Sequence, residues 1–245
     1  MGGETVMGQK AVLGAQVTGW VPPARPAGDT MEGAWVRLER LDADAHAADL
    51  HRAFSGHDAL WDYMPYGPFT SAAGYHRWAK EMAGGVDPLF MVLRDSGSGH
   101  CGGVASYLRI TPEAGSVEVG HICLAPEMQR GRAATEAMFL MMDWAFAAGY
   151  RRYEWKCNAL NLASRRAAQR LGFSYEGVFR QAAVVKGRNR DTAWFSVIDT
   201  EWPGLREAFR AWLSPTNFDA AGRQQESLSD LTRLVRPGMD PALPG

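Results

Sequence analysis

Leu124-Ala125-Pro126-Glu127-Met128-Gln129-Arg130-Gly131-Arg132-Ala133-Ala134-Thr135-Glu136-Ala137 is the stretch whose reading decides the fold. A β-like run over residues 117–124 stops at Pro126, and a tight Arg-Gly-Arg-Ala turn leads directly into a helical pattern. The first N–H groups of a helix have no internal acceptor, and the helix dipole adds partial positive charge there. Small residues at such a turn let an anion approach those amides closely, and Arg130 and Arg132 add charge beside it. Strand, small-residue turn and helix N-terminus in this order point to a phosphate-bearing ligand.

The helix after the turn has the clearest periodicity in the chain. Ala134, Ala137, Met138, Met141, Met142, Ala145 and Phe146 fall on one face, and Gly149 marks its end. A strand over residues 152–157 follows, so the turn lies in a strand–helix–strand crossover. Next come a short helix over residues 161–171, stopped by Gly172, and two long strands, 173–185 and 191–198, around Lys186-Gly187-Arg188-Asn189. A last helix opens near Pro203, with Leu205, Phe209, Trp212 and Leu213 on one face. Upstream, residues 35–41 read as a first strand, followed by helices over residues 42–55 and from Thr70 or Ser71 to about Met82. Strands 89–93 and 102–110 flank a hairpin turn at residues 95–99. The order is β, α, α, β, β, β, α, β, α, β, β and a terminal helix, a mixed α/β pattern with antiparallel hairpins.

The chain has 245 residues, 46% hydrophobic and 22% charged, enough for an ordinary core. We read one domain over residues 31–214, an N-terminal arm over residues 1–30 that is poorly ordered or strapped on the surface, and a C-terminal tail over residues 215–245 where Leu228, Leu231 and Leu234-Val235 could form a loose helix. A net charge of −1 offers no reason to expect nucleic acid, and no apolar run is long enough for a membrane span. The N-terminus lacks a secretory pattern, and the three cysteines form no CxxC pair. These features predict a cytoplasmic protein with packed free thiols and no metal.

The element order and three further motifs carry a resemblance. Glu118-Val119-Gly120-His121-Ile122, the stretch from Pro126 to Ala137, and Asn161-Leu162-Ala163-Ser164 followed by Arg170-Leu171-Gly172-Phe173 together resemble the GNAT acyltransferases, which move an acetyl group from acetyl-CoA to an amine. The Phe179-Arg180 strand and Asp191-Thr192-Ala193-Trp194-Phe195-Ser196 make the chain similar to the RimJ/RimL-type branch. The likeness spans roughly residues 31–212. Gly131 and Ala133 match the end of the superfamily's pyrophosphate signature, whereas Met128 stands at its first position and Gln129 falls one place late.

The resemblance implies a mostly antiparallel sheet with a central, splayed parallel pair of strands. The pantetheine would pair with the backbone of Ile122, Cys123 and Leu124. The pyrophosphate would meet the amides from Arg130 through Gly131, Arg132, Ala133 and Ala134 to Thr135, with Gln129 beside them. Asn161 would face the pantetheine arm and Ser164 the sulfur. The acceptor would be a primary amine, on a small molecule or a protein N-terminus, attacking directly in a ternary complex. That chemistry needs a base and an oxyanion donor. Glu118 is the candidate base, directly or through water, and a backbone N–H near Cys123 or Leu124 is the candidate donor.

Some features carry two readings. Trp61, Tyr63, Met64, Tyr66 and Phe69 share an irregular loop, either pinned to the core or, as the resemblance implies, walling the acceptor pocket through Trp61, Tyr63 and Tyr66. His121 is an alternative base, and with Cys123 it could form a thiol–imidazole pair, which makes a hydrolase one rival function. A non-catalytic acyl-CoA-binding module is another. The arginines of residues 165–170 read as a solvated helix face, one of which could meet the 3′-phosphate of CoA. An exposed edge strand or the terminal helix could support a homodimer.

Overall fold

A computed structural model describes residues 13–243. Its sheet has eight strands in the order β1-β2-β3-β4-β5-β6-β8-β7. These are β1 (Met31–Glu32), β2 (Val36–Arg40), β3 (Leu89–Asp95), β4 (Cys101–Thr111), β5 (Ser116–Leu124), β6 (Arg152–Asn158), β7 (Ser174–Val185) and β8 (Arg188–Ile198). All neighbours are antiparallel except β5 and β6. The expected architecture is present, with one addition, the two-residue strand β1.

Helices cover both faces of the first half of the sheet. Helices α1 (Ala43–Phe54) and α2 (Ala72–Ala83) lie on one face against β4 and β3. Their starts follow ordinary capping chemistry, because Asp42 accepts from the Ala45 N–H and Ser71 from the Gly74 N–H. Helix α3 (Arg132–Ala147) lies on the other face against β2, β3, β5 and β6, and α5 (Trp202–Leu213) packs on α3. Double coverage explains why the first five residues of β3 are all buried. Met138, Met141 and Met142 fill the layer under α3. Each such side chain contributes on the order of 1.5–3 kcal/mol by leaving water.

Two local readings are corrected. The β7–β8 turn is two residues, not four. Lys186 and Gly187 both have positive φ, and β8 already begins at Arg188. Paired positive φ gives the turn the twist that two-residue hairpins need. The arginines of α4 (Leu162–Arg170) are not a solvated face throughout. Arg165 is buried, with its Nε 2.6 Å from Asp240 Oδ2, and the Arg170 guanidinium lies 5.0 Å from the Trp212 ring centroid. Helix α4 ends as expected at Gly172, whose φ of +89° and closeness to Leu205 leave no room for a side chain.

Both flanking segments touch the sheet and its helices. The indole of Trp20 donates to the Gly149 carbonyl, Arg25 donates to that of Ile110, and the Tyr150 hydroxyl donates to that of Ala24. At the other end α6 (Leu228–Arg233) contacts α5 and α4. Among the described residues no helix is long and apolar enough to cross a membrane.

Candidate active site

The parallel strands part in the middle of the sheet. Ser116 to Val119 of β5 pair with Arg152 to Trp155 of β6, and the pairing ends there although both strands continue. A bulge in β5 drives the separation. Ser106 pairs with Gly120 and Val104 with Cys123, so Ala105 alone faces His121 and Ile122. His121 takes a φ of +51° to make it. Nothing in the local composition signals this residue as the bulge.

Beyond the bulge the backbone groups divide. The Ala125 N–H donates to the Gly102 carbonyl, which in an antiparallel ladder turns Cys123 toward β4 as well and leaves Ile122 and Leu124 facing the gap. Of the expected pantetheine partners, Ile122 and Leu124 therefore present backbone to the gap and Cys123 does not. Likewise Leu124, not Cys123, has an N–H available to an oxyanion. Gln129 donates its side-chain amide to the Leu124 carbonyl at 2.9 Å, so it braces the strand end.

The set of amides expected to meet the pyrophosphate narrows in the same way. Gly131 is the N-cap of α3. Its N–H already donates to the Met128 carbonyl, and that of Thr135 to the Gly131 carbonyl. The Thr135 hydroxyl donates to that same Gly131 carbonyl and accepts from Arg170. Arg130, Arg132, Ala133 and Ala134 keep backbone N–H groups without an intramolecular acceptor among the described residues. The Arg132 guanidinium is stacked between Trp35 and Phe218, 4.0 and 4.5 Å from their ring centroids, while Arg130 is exposed.

Across the gap, Asn161 caps α4 by accepting the Ser164 N–H at 3.0 Å. Ser164 Oγ accepts the Trp155 indole N–H at 3.0 Å. A hydroxyl that accepts one hydrogen bond still has its own proton to give.

Glu118 sits on β5 just before the strands part, with its side chain buried. Its Oε2 lies 2.7 Å from Arg109 Nη1 and 2.9 Å from Lys156 Nζ. Burial pushes its carboxyl above the ordinary range, against the pull of Lys156 and Arg109. Lys156 continues to Glu154 at 2.6 Å, and Arg152 joins Glu154 to Glu176. The outcome is a ladder of alternating charges across one sheet face. Arg109 and Lys156 were absent from the sequence-derived site. Period-two alternation on β6 puts Lys156 on the face opposite Trp155, but the register that sets it beside Glu118 is tertiary.

The aromatic loop divides between its two readings. Trp61 is a core residue, 3% exposed, in edge contact with Phe54 and Phe69. Its expected place in an acceptor wall is corrected, because its ring has no free face. Only its carbonyl reaches outward, accepting from Lys186 Nζ at 2.8 Å and so tying the loop to the β7–β8 hairpin. Tyr63 is exposed and donates to the Leu160 carbonyl at 3.3 Å, bridging to the loop before α4. Tyr66 stacks on His121, with Oη 3.1 Å from Nδ1.

Burial, with the positive charges of Arg109 and Arg190, pushes His121 down to about 4. Burial also pushes the Cys123 thiol up to about 12. A neutral imidazole beside a protonated thiol is not an activated pair, so the hydrolase reading has no support here.

A model of the acetyltransferase (GNAT) domain matches residues 36–174. A GCN5-related N-acetyltransferase from Brucella melitensis is 44% identical over 89% of this chain and 100% of its own, with a TM-score of 0.87. A probable acetyltransferase of the GNAT family from Chromobacterium violaceum is 39% identical over 80% of this chain and 99% of its own, with a TM-score of 0.74. RimL, a ribosomal L7/L12 α-N-protein acetyltransferase, is 22% identical over 74% of this chain and 99% of its own, with a TM-score of 0.60, and so shares the fold alone. No curated protein matches the chain.

Proposed function

The chain belongs to the GNAT acetyltransferases, and from that premise we propose that it moves an acetyl group from acetyl-CoA to a primary amine by direct attack in a ternary complex. The acceptor is a small-molecule amine or a protein N-terminus, and the motifs at Phe179-Arg180 and residues 191–196 favour the RimJ/RimL-type branch. One observation carries the reading. The β5–β6 gap has the backbone of Ile122 and the N–H of Leu124 on one wall, with the unused N–H groups of Arg130, Arg132, Ala133 and Ala134 at its end.

The step requires little of the protein. The amine nitrogen bonds to the thioester carbonyl carbon and loses a proton, and the carbon–sulfur bond breaks to release the thiolate, which takes up a proton. Glu118, its pKa raised by burial, receives the amine proton directly or through water. The Leu124 N–H stabilises the oxyanion, and Ser164 donates toward the departing sulfur.

The test is calorimetric titration with acetyl-CoA, with dephospho-CoA as a control and Arg130→Glu as the variant, followed by a thiol-release screen over amines. Saturable binding that weakens in the variant, together with amine-dependent release, is expected. No binding at millimolar donor would overturn the reading. Tight binding without release by any amine would favour an acyl-CoA-binding module instead.

A further inference from the structure

Strand β8 turns Ala193, Phe195 and Val197 into the core under α3. The alternation of a strand therefore turns Arg190, Thr192, Trp194 and Ser196 to the opposite face, where Lys156 Nζ lies 3.9 Å from the Trp194 ring centroid and 2.9 Å from Glu118. Through Lys156 and Glu118 this face reaches the point where β5 and β6 part. Lys186, at the tip of the β7–β8 hairpin, donates to the Trp61 carbonyl, and the Tyr63 hydroxyl donates to that of Leu160, so the aromatic loop is tied to both neighbouring segments.

Two buried polar atoms on this face have no hydrogen-bond partner among the described residues, Arg190 Nε and Trp194 Nε1. Both are donors, and a buried donor without an acceptor is costly enough to call for an explanation. The surrounding charges already balance. Arg109, Lys156 and Arg152 are matched by Glu118, Glu154 and Glu176 along one run of ion pairs. Neither Arg190 nor Lys186 forms an ion pair among the described residues, and Lys186 is exposed at the hairpin tip, so Arg190 carries an unmatched positive charge on this face. The surplus charge is felt at His121, where it helps keep the imidazole neutral.

We infer that the acceptor is an amine that also carries a carboxylate, and that Arg190 and Trp194 hold that carboxylate. The inference rests on the acetyltransferase reading and names its substrate class. A carboxylate accepts from guanidinium and indole N–H donors alike, and its one negative charge matches that of the unpaired Arg190. A neutral amine leaves both donors unpaired. Arg190 acts on position, not on the reacting atoms.

The experiment compares matched pairs that differ only in charge. N-acetylglycine, N-acetyl-β-alanine and N-acetyl-4-aminobutyrate are titrated against their amides, and N-acetyl-Ala-Glu-amide against N-acetyl-Ala-Gln-amide, calorimetrically and with and without CoA. In at least one pair the carboxylate member is expected to bind about tenfold tighter or better. Arg190→Gln erases that difference while retaining CoA affinity and a cooperative melt. A response in the amino-acid pairs marks a free amino acid as acceptor, and a response in the dipeptide pair marks an acidic peptide terminus. Equal affinities within every pair, or a preference that survives Arg190→Gln, would overturn the inference. The pairs are scored without CoA too, so a failure of donor binding, which would sink the acetyltransferase reading, remains distinguishable.

Discussion

The Tyr66 hydroxyl lies 3.1 Å from His121 Nδ1, with the two rings stacked at 5.6 Å between centroids and 14° between planes. Burial keeps the phenol protonated and the imidazole neutral, so a single hydrogen joins the two groups. The strand bulge brings the pair together at the point where β5 and β6 part.

The pair has a pH signature. An unfolded histidine takes its proton near 6.5, whereas folded His121 resists until about 4. Between those values the unfolded state binds more protons, so stability is full above 6.5 and falls as pH drops toward 4, by up to about 3 kcal/mol. The denaturant midpoint of His121→Gln should fall less than that of the wild type over this window. Parallel curves would mean that His121 titrates normally in the folded protein.

Glu118→Gln should lower kcat by about 10²- to 10⁴-fold if the carboxylate accepts the amine proton. Its acetyl-CoA affinity should not change. Lys156→Met is the companion variant. It removes an influence that lowers the Glu118 pKa, so the acid limb of the kcat–pH profile should move to higher pH. A lower rate with an unmoved limb would assign Lys156 a packing role and take the base role from Glu118.

Asp240 holds α4 from the far end of the chain. Its Oδ1 and Oδ2 lie 2.5 and 2.6 Å from the Arg165 guanidinium, and its side chain is fully buried. Removing one member of a buried pair strands the other, so Asp240→Ala should cost about 3–5 kcal/mol in chemical denaturation. Because α4 carries Asn161 and Ser164 at its start, the same variant should weaken acetyl-CoA binding.

Glu136 fastens the first hairpin to α3. Its carboxylate accepts the N–H groups of Ala34, Trp35 and Val36 at 2.9, 2.6 and 3.0 Å. A glutamine has one acceptor oxygen where these donors use two, and an unsatisfied buried donor costs about 1–3 kcal/mol. Glu136→Gln should lose that much stability, with the fold intact by circular dichroism.

The sequence by itself determined the elements and their order. Helix α3 was legible because its seven apolar positions repeat at helical spacing, and β5 because it ends at a proline and a turn of small residues. The turn into α3, proposed here to hold the pyrophosphate, was legible for the same reason, since it is made by residues adjacent in the chain. Only the tertiary structure decided which groups face the gap. The bulge at His121 selects Ile122 and Leu124 over Cys123, and the β5–β6 register brings Lys156 to Glu118. Trp61 and Tyr66 share one loop, yet one is locked in the core and the other pairs with His121. Arg190 becomes conspicuous only when its neighbours are seen to be paired already. Periodicity is local and survives in one dimension, whereas register, burial and charge balance depend on residues up to about 130 positions apart in the chain, such as Lys186 and Trp61, which join the β7–β8 hairpin to the aromatic loop.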